Sequence, residues 1–217
     1  MDMEHKPLKH ILCYGDSNTF GSDPDHPGQR HPYQVRWTGR LQHLLGEDYR
    51  IIEEGMGGRN TVWDDPLEDN RSGLRFLPVA LQSHKPLDLV ILALGTNDCK
   101  SHLPANAATS TLGMARLIDT VRRFDYGPVM SAPQILLLAP IHIGTDIAHS
   151  SFTMFDDASR AMSLELGPRY RALAESCGCA FLDAASVAGP GADQLHMAPD
   201  GHRAVAEALA PLIRGLL

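Results

Sequence analysis

The sequence has few cysteines, no excess of positive charge and no long hydrophobic run, and each absence limits what the protein can be. Its four cysteines are scattered, and we interpret them as reduced thiols, with Cys13 and Cys99 buried at strand ends. Cys177 and Cys179 are separated by one residue, whereas redox and zinc pairs have two between them. The eleven histidines are dispersed without a recognisable ligand spacing, so we predict no metal site.

The charge and the hydropathy of the sequence exclude further classes of partner and location. There are 19 Lys and Arg against 26 Asp and Glu, a net charge of −7 without a run of like charges. Binding to nucleic acid needs clustered positive charge, so we expect no nucleic-acid partner. No stretch approaches the roughly 18–20 apolar residues of a membrane span. The polar N-terminus and the short apolar run after it do not resemble a signal peptide, so we expect a cytoplasmic protein.

Short hydrophobic runs alternate with amphipathic stretches, without an internal repeat or an interdomain linker. Candidate strands are residues 11–14, 50–54, 87–94, 134–139 and 180–182, and candidate helices are residues 37–45, 74–83, 109–123, 155–177 and about 200–217. Strands separated by helix-length connections predict an α/β fold with a central five-stranded parallel sheet, in one domain over residues 1–217. Ligands of such folds bind beyond the carboxyl ends of the strands, where we expect Ser17, Gly58 and Asn97.

Ser17 follows the first predicted strand in the segment Tyr14-Gly15-Asp16-Ser17-Asn18-Thr19. Gly15 allows a tight turn off the strand, which would place Ser17 at a helix N-terminus, where free N–H groups favour negative charge. A serine hydroxyl there can serve as a nucleophile if a base lies beside it. Ser17 as a simple N-cap explains the residue equally well at this point.

Two further segments end predicted strands at the same edge of the sheet. Asn97, in Gly95-Thr96-Asn97-Asp98, could direct an amide donor toward an oxyanion, although an Asx-turn is the commoner reason for such an asparagine. Gly58 offers an N–H that a ligand can approach without a Cβ in the way, although a plain turn would also use glycine there.

Asp193 and His196 stand three residues apart near the C-terminus. On one turn of helix they would face the same way, and an aspartate can orient a histidine that takes a proton from a serine. His202 is an alternative base and Asp183 an alternative orienting carboxylate. We favour Asp193 and His196 because their spacing is local.

Together these segments resemble the four sequence blocks of the SGNH (GDSL-type) hydrolases. The blocks are Gly15-Asp16-Ser17, Gly58, Gly95-Thr96-Asn97-Asp98 and Asp193-Gln194-Leu195-His196, in family order. Segments such as Trp63-Asp64-Asp65-Pro66 are similar to the bacterial arylesterase and acyltransferase subgroup. Asn18 stands where the family commonly has Leu, which bears on acyl preference, and Gln194 stands where it often has Gly.

The resemblance implies a three-layer α/β/α sandwich of flavodoxin-like arrangement. It implies Ser17 as nucleophile, His196 as base and Asp193 as its orienting residue, with an oxyanion hole from the N–H groups of Ser17 and Gly58 and the side chain of Asn97. It implies no metal or organic cofactor, a short-chain aryl or alkyl ester as substrate, some acyl transfer to alcohols or peroxide, and homo-oligomers, octamers among them.

Two other functions compete with this interpretation. In a flavodoxin-like binding module, residues 16–19 would form a phosphate-binding turn, but Asn97, Asp193 and His196 would then be coincidental. A carbohydrate O-acetyl esterase, acting on acetylated sugar or xylan, would use the same catalytic residues. The loops 21–34 and 141–151 are expected to wall the site or to form a subunit contact.

Overall fold

The computed structural model describes residues 7–217. The predicted absence of a signal peptide rests in large part on residues 1–6, which lie outside the described residues. None of the helices in the described part of the chain is long and apolar enough to cross a bilayer.

Five parallel strands form one sheet in the order β2-β1-β3-β4-β5. The strands are β1 Lys9–Gly15, β2 Tyr49–Gly55, β3 Leu89–Ala93, β4 Gln134–Ala139 and β5 Ala180–Asp183. The α/β fold with a five-stranded parallel sheet is therefore confirmed, and each predicted strand is present with ends shifted by two residues at most.

Among residues 7–217, five helices cover the two faces of the sheet and a sixth, of one turn, follows β1, which confirms the three-layer arrangement. They are α1 Ser17–Phe20, α2 Trp37–Leu45, α3 Gly73–His84, α4 Ala107–Arg123, α5 Asp157–Cys177 and α6 Pro199–Leu216. Helix α5 begins two residues later than predicted because Asp156 caps it, accepting the N–H of Ser159. Short 3₁₀ turns at Thr96–Cys99, Ile147–His149 and Ala184–Ser186 were not predicted.

Alternating side chains of the strands feed two hydrophobic cores. On β1, Leu12 and Tyr14 pack beneath α3, α4 and α5, whereas Ile11 and Cys13 pack beneath α2 and α6. All four side chains are fully buried, as expected for a central strand covered on both faces. The rigid sheet between these cores fixes where each strand ends, and so fixes the loops beyond its carboxyl edge.

Candidate active site

Ser17 is the first residue of the one-turn helix α1, directly beyond β1. Asp16 is the N-cap, and its Oδ1 accepts the N–H of Asn18 at 2.9 Å, so the interpretation of Ser17 as the cap is wrong. Gly15 is required here, because a Cβ would lie 2.0 Å from Oγ1 of Thr19. The sharp turn leaves Ser17 almost buried, at the floor of a cavity.

Asp16 places a buried carboxyl group next to Ser17. Burial raises the pKa of Asp16 to about 6, against the lowering effect of the Asn18 N–H and of the nearby His196. The carboxylate occupies the Asn18 N–H that a bound phosphate would use, which argues against the phosphate-binding turn of a flavodoxin-like module.

Asp193 and His196 lie in a loop before α6 rather than on a turn of helix. Gln194 between them has a φ of 71°, a left-handed conformation that breaks any helical path. Oδ1 of Asp193 accepts the N–H groups of Leu195 at 2.9 Å and of His196 at 2.8 Å. The two residues do face each other as expected, but the Asp193 carboxylate, not helical spacing, produces the geometry.

A continuous hydrogen-bonded chain joins Asp193, His196 and Ser17. Oδ2 of Asp193 is 2.6 Å from Nδ1 of His196, and Nε2 of the same ring is 2.8 Å from Oγ of Ser17. Burial alone would raise the pKa of Asp193, but the hydrogen bonds from the ring and backbone of His196 and from the Leu195 N–H hold it below its usual range. The carboxylate therefore stays charged and can stabilise a protonated imidazole, so the arrangement can remove a proton from the serine hydroxyl.

Gly58 and Asn97 face the same cavity as Ser17. Gly58 sits in a turn closed by the N–H of Arg59 bonding to the carbonyl of Met56, with a φ of 74° that favours glycine. Asn97 lies in the 3₁₀ turn after β3, and its Nδ2 donates to the carbonyl of Arg59 at 3.2 Å. The turn predicted for Gly58 is present, and it places the glycine at the cavity wall.

The cavity has a volume of about 550 Å³ and is lined by two contrasting walls. Loop 21–34 contributes Asp23, Pro27 and Gln29 among others, as expected for a wall of the site. Loop 141–151 contributes Ser151, and the apolar wall comes mostly from the segment after it, including Phe152. The Phe152 ring packs edge-on against His196 with 5.4 Å between ring centroids.

The charged wall of the cavity, formed by Glu68, Arg71 and Lys100, was not predicted from the sequence. Lys100 is almost fully buried and places Nζ 2.8 Å from Asp65 and 2.5 Å from Glu68. Burial by itself would raise the pKa of Asp65, but the bonds from Lys100, the Leu67 N–H and His102 hold it at about 2. Glu68 and Lys100 line the cavity, and a signal was available in the segment containing Asp64 and Asp65, which was noted only for its resemblance.

The alternative residues lie elsewhere. His202 is fully buried under α2, where its Nδ1 accepts the N–H of Trp37, and burial lowers its pKa to about 3. Asp183 caps a 3₁₀ turn by accepting the N–H of Ala185. Neither residue is hydrogen-bonded to Ser17 or His196 in the described part of the chain.

Within residues 7–217, no group of three or more His, Cys, Asp or Glu side chains is arranged to hold a metal ion. The four cysteines are free thiols. Cys99 is buried in the turn beyond β3, close to its expected place, and Cys13 is buried within β1 rather than at its end.

The chain belongs to the GDSL-like lipase/acylhydrolase family, whose model matches residues 13–204. Among solved structures it is similar to the aryl esterase of M. smegmatis, with 37% identity, a TM-score of 0.91, and 97% of this chain and 100% of that chain covered. It is also similar to a carbohydrate acetylesterase family member from Sinorhizobium meliloti, with 37% identity, a TM-score of 0.89, and 97% and 99% covered. None of the curated proteins matches it.

A second carbohydrate acetylesterase from Sinorhizobium meliloti, named Est24, is 35% identical, with a TM-score of 0.89 and 96% of this chain and 100% of that chain covered. The protein is thus a serine ester hydrolase of the SGNH type. The resemblance drawn from four short blocks is confirmed at the level of family and fold.

Proposed function

We propose that the protein hydrolyses short-chain carboxylic esters, aryl or alkyl acetates, through an acyl-enzyme on Ser17. The observation that carries the proposal is the hydrogen-bonded chain from Asp193 through His196 to the Ser17 hydroxyl. Its three members come from two ends of the sequence and meet at the floor of a cavity large enough for a small ester. Whole-chain similarity to an aryl esterase supports the same substrate class.

The steps follow from the geometry. Oγ of Ser17 bonds to the ester carbonyl carbon while its proton passes to Nε2 of His196. The negative charge on the former carbonyl oxygen is stabilised by the N–H groups of Ser17 and Gly58 and by Nδ2 of Asn97. The C–O bond to the alcohol breaks, and the alcohol leaves with the proton from His196. Water then attacks the acyl-enzyme, gives its proton to His196, and the acid departs as Ser17 regains the proton.

An alcohol or peroxide in place of water would give acyl transfer by the same steps. The Phe152 ring packed against His196 supports this proposal, because it supplies an apolar surface beside the base on which the carbon chain of an alcohol can pack. The ratio of ester product to free acid, measured with and without an added alcohol, tests acyl transfer directly.

The decisive experiment follows turnover of p-nitrophenyl acetate by Ser17→Ala, with circular dichroism to verify the fold. We expect turnover to fall roughly 10⁴- to 10⁶-fold, and His196→Ala to fall nearly as far. Brief mixing of the wild type with the ester should add the mass of one acetyl group to the peptide that carries Ser17. A Ser17→Ala variant with the wild-type rate would rule out the proposal. EDTA should leave the rate unchanged.

The charged wall favours a second candidate, a carbohydrate O-acetyl esterase. Glu68, Arg71 and Lys100 present hydrogen-bonding groups to the cavity beside Gly58, and the hydroxyls of a sugar can bind such groups. Sugar acetates and acetylated xylan should be compared with p-nitrophenyl esters of increasing chain length. If the charged wall binds sugar hydroxyls, Glu68→Gln will lower kcat/KM for sugar acetates and spare p-nitrophenyl acetate; equal losses on both would favour the aryl or alkyl ester.

The single domain over residues 1–217, the cytoplasmic location and the homo-oligomer, in particular an octamer, stay predictions. Light scattering after size exclusion measures the subunit count.

A further inference from the structure

Asn18 stands where the family commonly has Leu, but its side chain does not enter the cavity at Ser17. It is not among the residues that line the 550 Å³ cavity. Its amide instead makes two hydrogen bonds to the backbone on both sides of His196. Nδ2 donates to the carbonyl of Leu195 at 3.3 Å, and Oδ1 accepts the N–H of Met197 at 2.9 Å.

The two bonds use both the amide nitrogen of Asn18, as a donor, and its amide oxygen, as an acceptor. A carboxylate would face the Leu195 carbonyl without a donor, and an aliphatic side chain would leave a backbone N–H and a carbonyl unpaired. Asparagine is therefore the residue type that satisfies both neighbours of His196 from this position. The backbone N–H of Asn18 donates to Asp16, so the backbone that carries this side chain is also fixed.

We propose that Asn18 is a positioning residue that couples the nucleophile turn to the loop carrying the base, and so maintains the 2.8 Å contact between Ser17 and His196. The inference rests on the proposed roles of those two residues. Asn18 directly follows Ser17 in the chain, and its side chain bonds to the backbone on both sides of His196. A movement of the loop that carries His196 is therefore transmitted to the turn that carries Ser17.

Most other attachments of this loop join it to residues distant from Ser17, but one comes from His31 in the loop after α1, whose Nε2 lies 3.4 Å from the Met197 carbonyl. The carbonyl and Oε1 of Gln194 accept the N–H groups of Gly144 and Asp146, which belong to loop 141–151. The carbonyl of His196 accepts from Gly191. Of these attachments, the Asn18 amide is the one that starts from the residue next to Ser17 and bonds to the backbone on both sides of His196.

The test compares Asn18→Leu, which carries the residue common in the family, with the matched control Asn106→Leu. Asn106 caps α4 by accepting the N–H of Thr109 at 3.0 Å, and it does not line the cavity. Both variants lose side-chain hydrogen bonds and stability, but only Asn18 touches the histidine loop. Rates are normalised to the folded fraction from circular dichroism, and Asn18→Ala replaces the leucine variant if that one does not fold.

We expect Asn18→Leu to lower kcat for p-nitrophenyl acetate by roughly 10- to 100-fold with little change in KM, because a small misplacement of the base slows proton transfer. Inactivation by phenylmethylsulfonyl fluoride, in which Oγ of Ser17 displaces fluoride, should slow by a similar factor. Asn106→Leu should keep the wild-type values of both.

If Asn18→Leu loses only stability, as the control does, the positioning role is overturned while the proposed function stands. If Ser17→Ala retains activity, the proposed function itself fails, and with it the basis of this inference.

Discussion

Thr61 donates both its backbone N–H and its hydroxyl to the buried carboxylate of Asp98, at 2.7 and 2.5 Å. Asp98 follows Asn97, and Thr61 lies three residues after Gly58. Burial raises the pKa of Asp98, and the Thr61 and Ser110 donors work against this rise. The interaction therefore ties together the two turns that carry the proposed oxyanion donors.

Thr61→Val tests this tie by removing the hydroxyl while keeping the shape of the side chain. We expect the free energy of unfolding to fall by about 1–2 kcal/mol, because a buried carboxylate oxygen loses a donor. We also expect kcat for p-nitrophenyl acetate to fall, since the turns of Gly58 and Asn97 lose one of the bonds between them, although the Thr61 N–H still reaches Asp98. Thr120→Val, which removes a hydroxyl bonded to the Arg116 carbonyl on the exposed face of α4, is the control. Equal activity in the two variants would contradict the prediction.

Asp193 offers a sharper test of how the histidine is oriented. Its carboxylate accepts two backbone N–H groups as well as Nδ1 of His196, so Asp193→Asn removes charge and places an N–H₂ group near one of these donors. If the amide faces the ring, Nδ1 must become the acceptor, and Nε2 then carries the proton and cannot accept that of Ser17.

We expect kcat of Asp193→Asn to fall roughly 10³- to 10⁴-fold with the fold intact. Asp193→Ala, measured beside it, removes the charge without imposing a tautomer. Proton NMR of the ring N–H would show which nitrogen is protonated. An asparagine variant with wild-type kcat would show that the carboxylate has no role in the reaction.

The sequence predicted most of the fold because β1, β3 and β4 contain continuous apolar runs and helix-length amphipathic segments separate the strands. It also placed Ser17, Gly58 and Asn97 at one edge, because parallel strands end on the same side. It gave the wrong conformation for Asp193 and His196, since a spacing of three suits a helix and an Asx-type loop equally. Only the fold brings Asn18 to the backbone around His196, 177–179 residues away.

The charged wall escaped prediction for a related reason. Lys100 and Asp65 are 35 residues apart, and although Asp65 stands in the acidic segment of residues 64–69, nothing in that segment identifies Lys100 as its partner. Lysine is rarely buried in proteins, so the sequence alone predicts that Lys100 lies at the surface. The pair forms because Lys100 follows the turn that carries Asn97, while Asp65 follows the turn that carries Gly58.

Gln194 departs from the glycine that the family often has, and its φ of 71° shows why glycine suits the position. Gln194→Gly relieves backbone strain of about 1 kcal/mol but loses the bond from the Asp146 N–H, also about 1 kcal/mol, so its stability should be near that of the wild type. Gln194→Ala loses the bond and keeps the strain, so it should be less stable than the glycine variant. Urea denaturation compares the two, and an alanine variant as stable as the glycine variant would contradict the assignment of strain.

His202 should make the fold sensitive to acid. Its folded pKa is about 3, lowered first by burial and then by the charges of His31 and Arg40 nearby, whereas an ordinary histidine titrates near 6.5. Below that pH the unfolded chain takes up a proton that the folded chain refuses, so stability is lost as the pH falls from about 6.5 toward 3.

At pH 4.5 this loss is on the order of 2–3 kcal/mol. His202→Asn keeps an acceptor for the Trp37 N–H but carries no titrating group. At pH 7 the variant should be less stable than the wild type, because the packing against His31 is lost. Urea midpoints measured from pH 7 to 4.5 should show that difference shrinking, because only the wild type carries the histidine penalty. A difference that stays constant across this range would mean that His202 is not the source of the acid sensitivity.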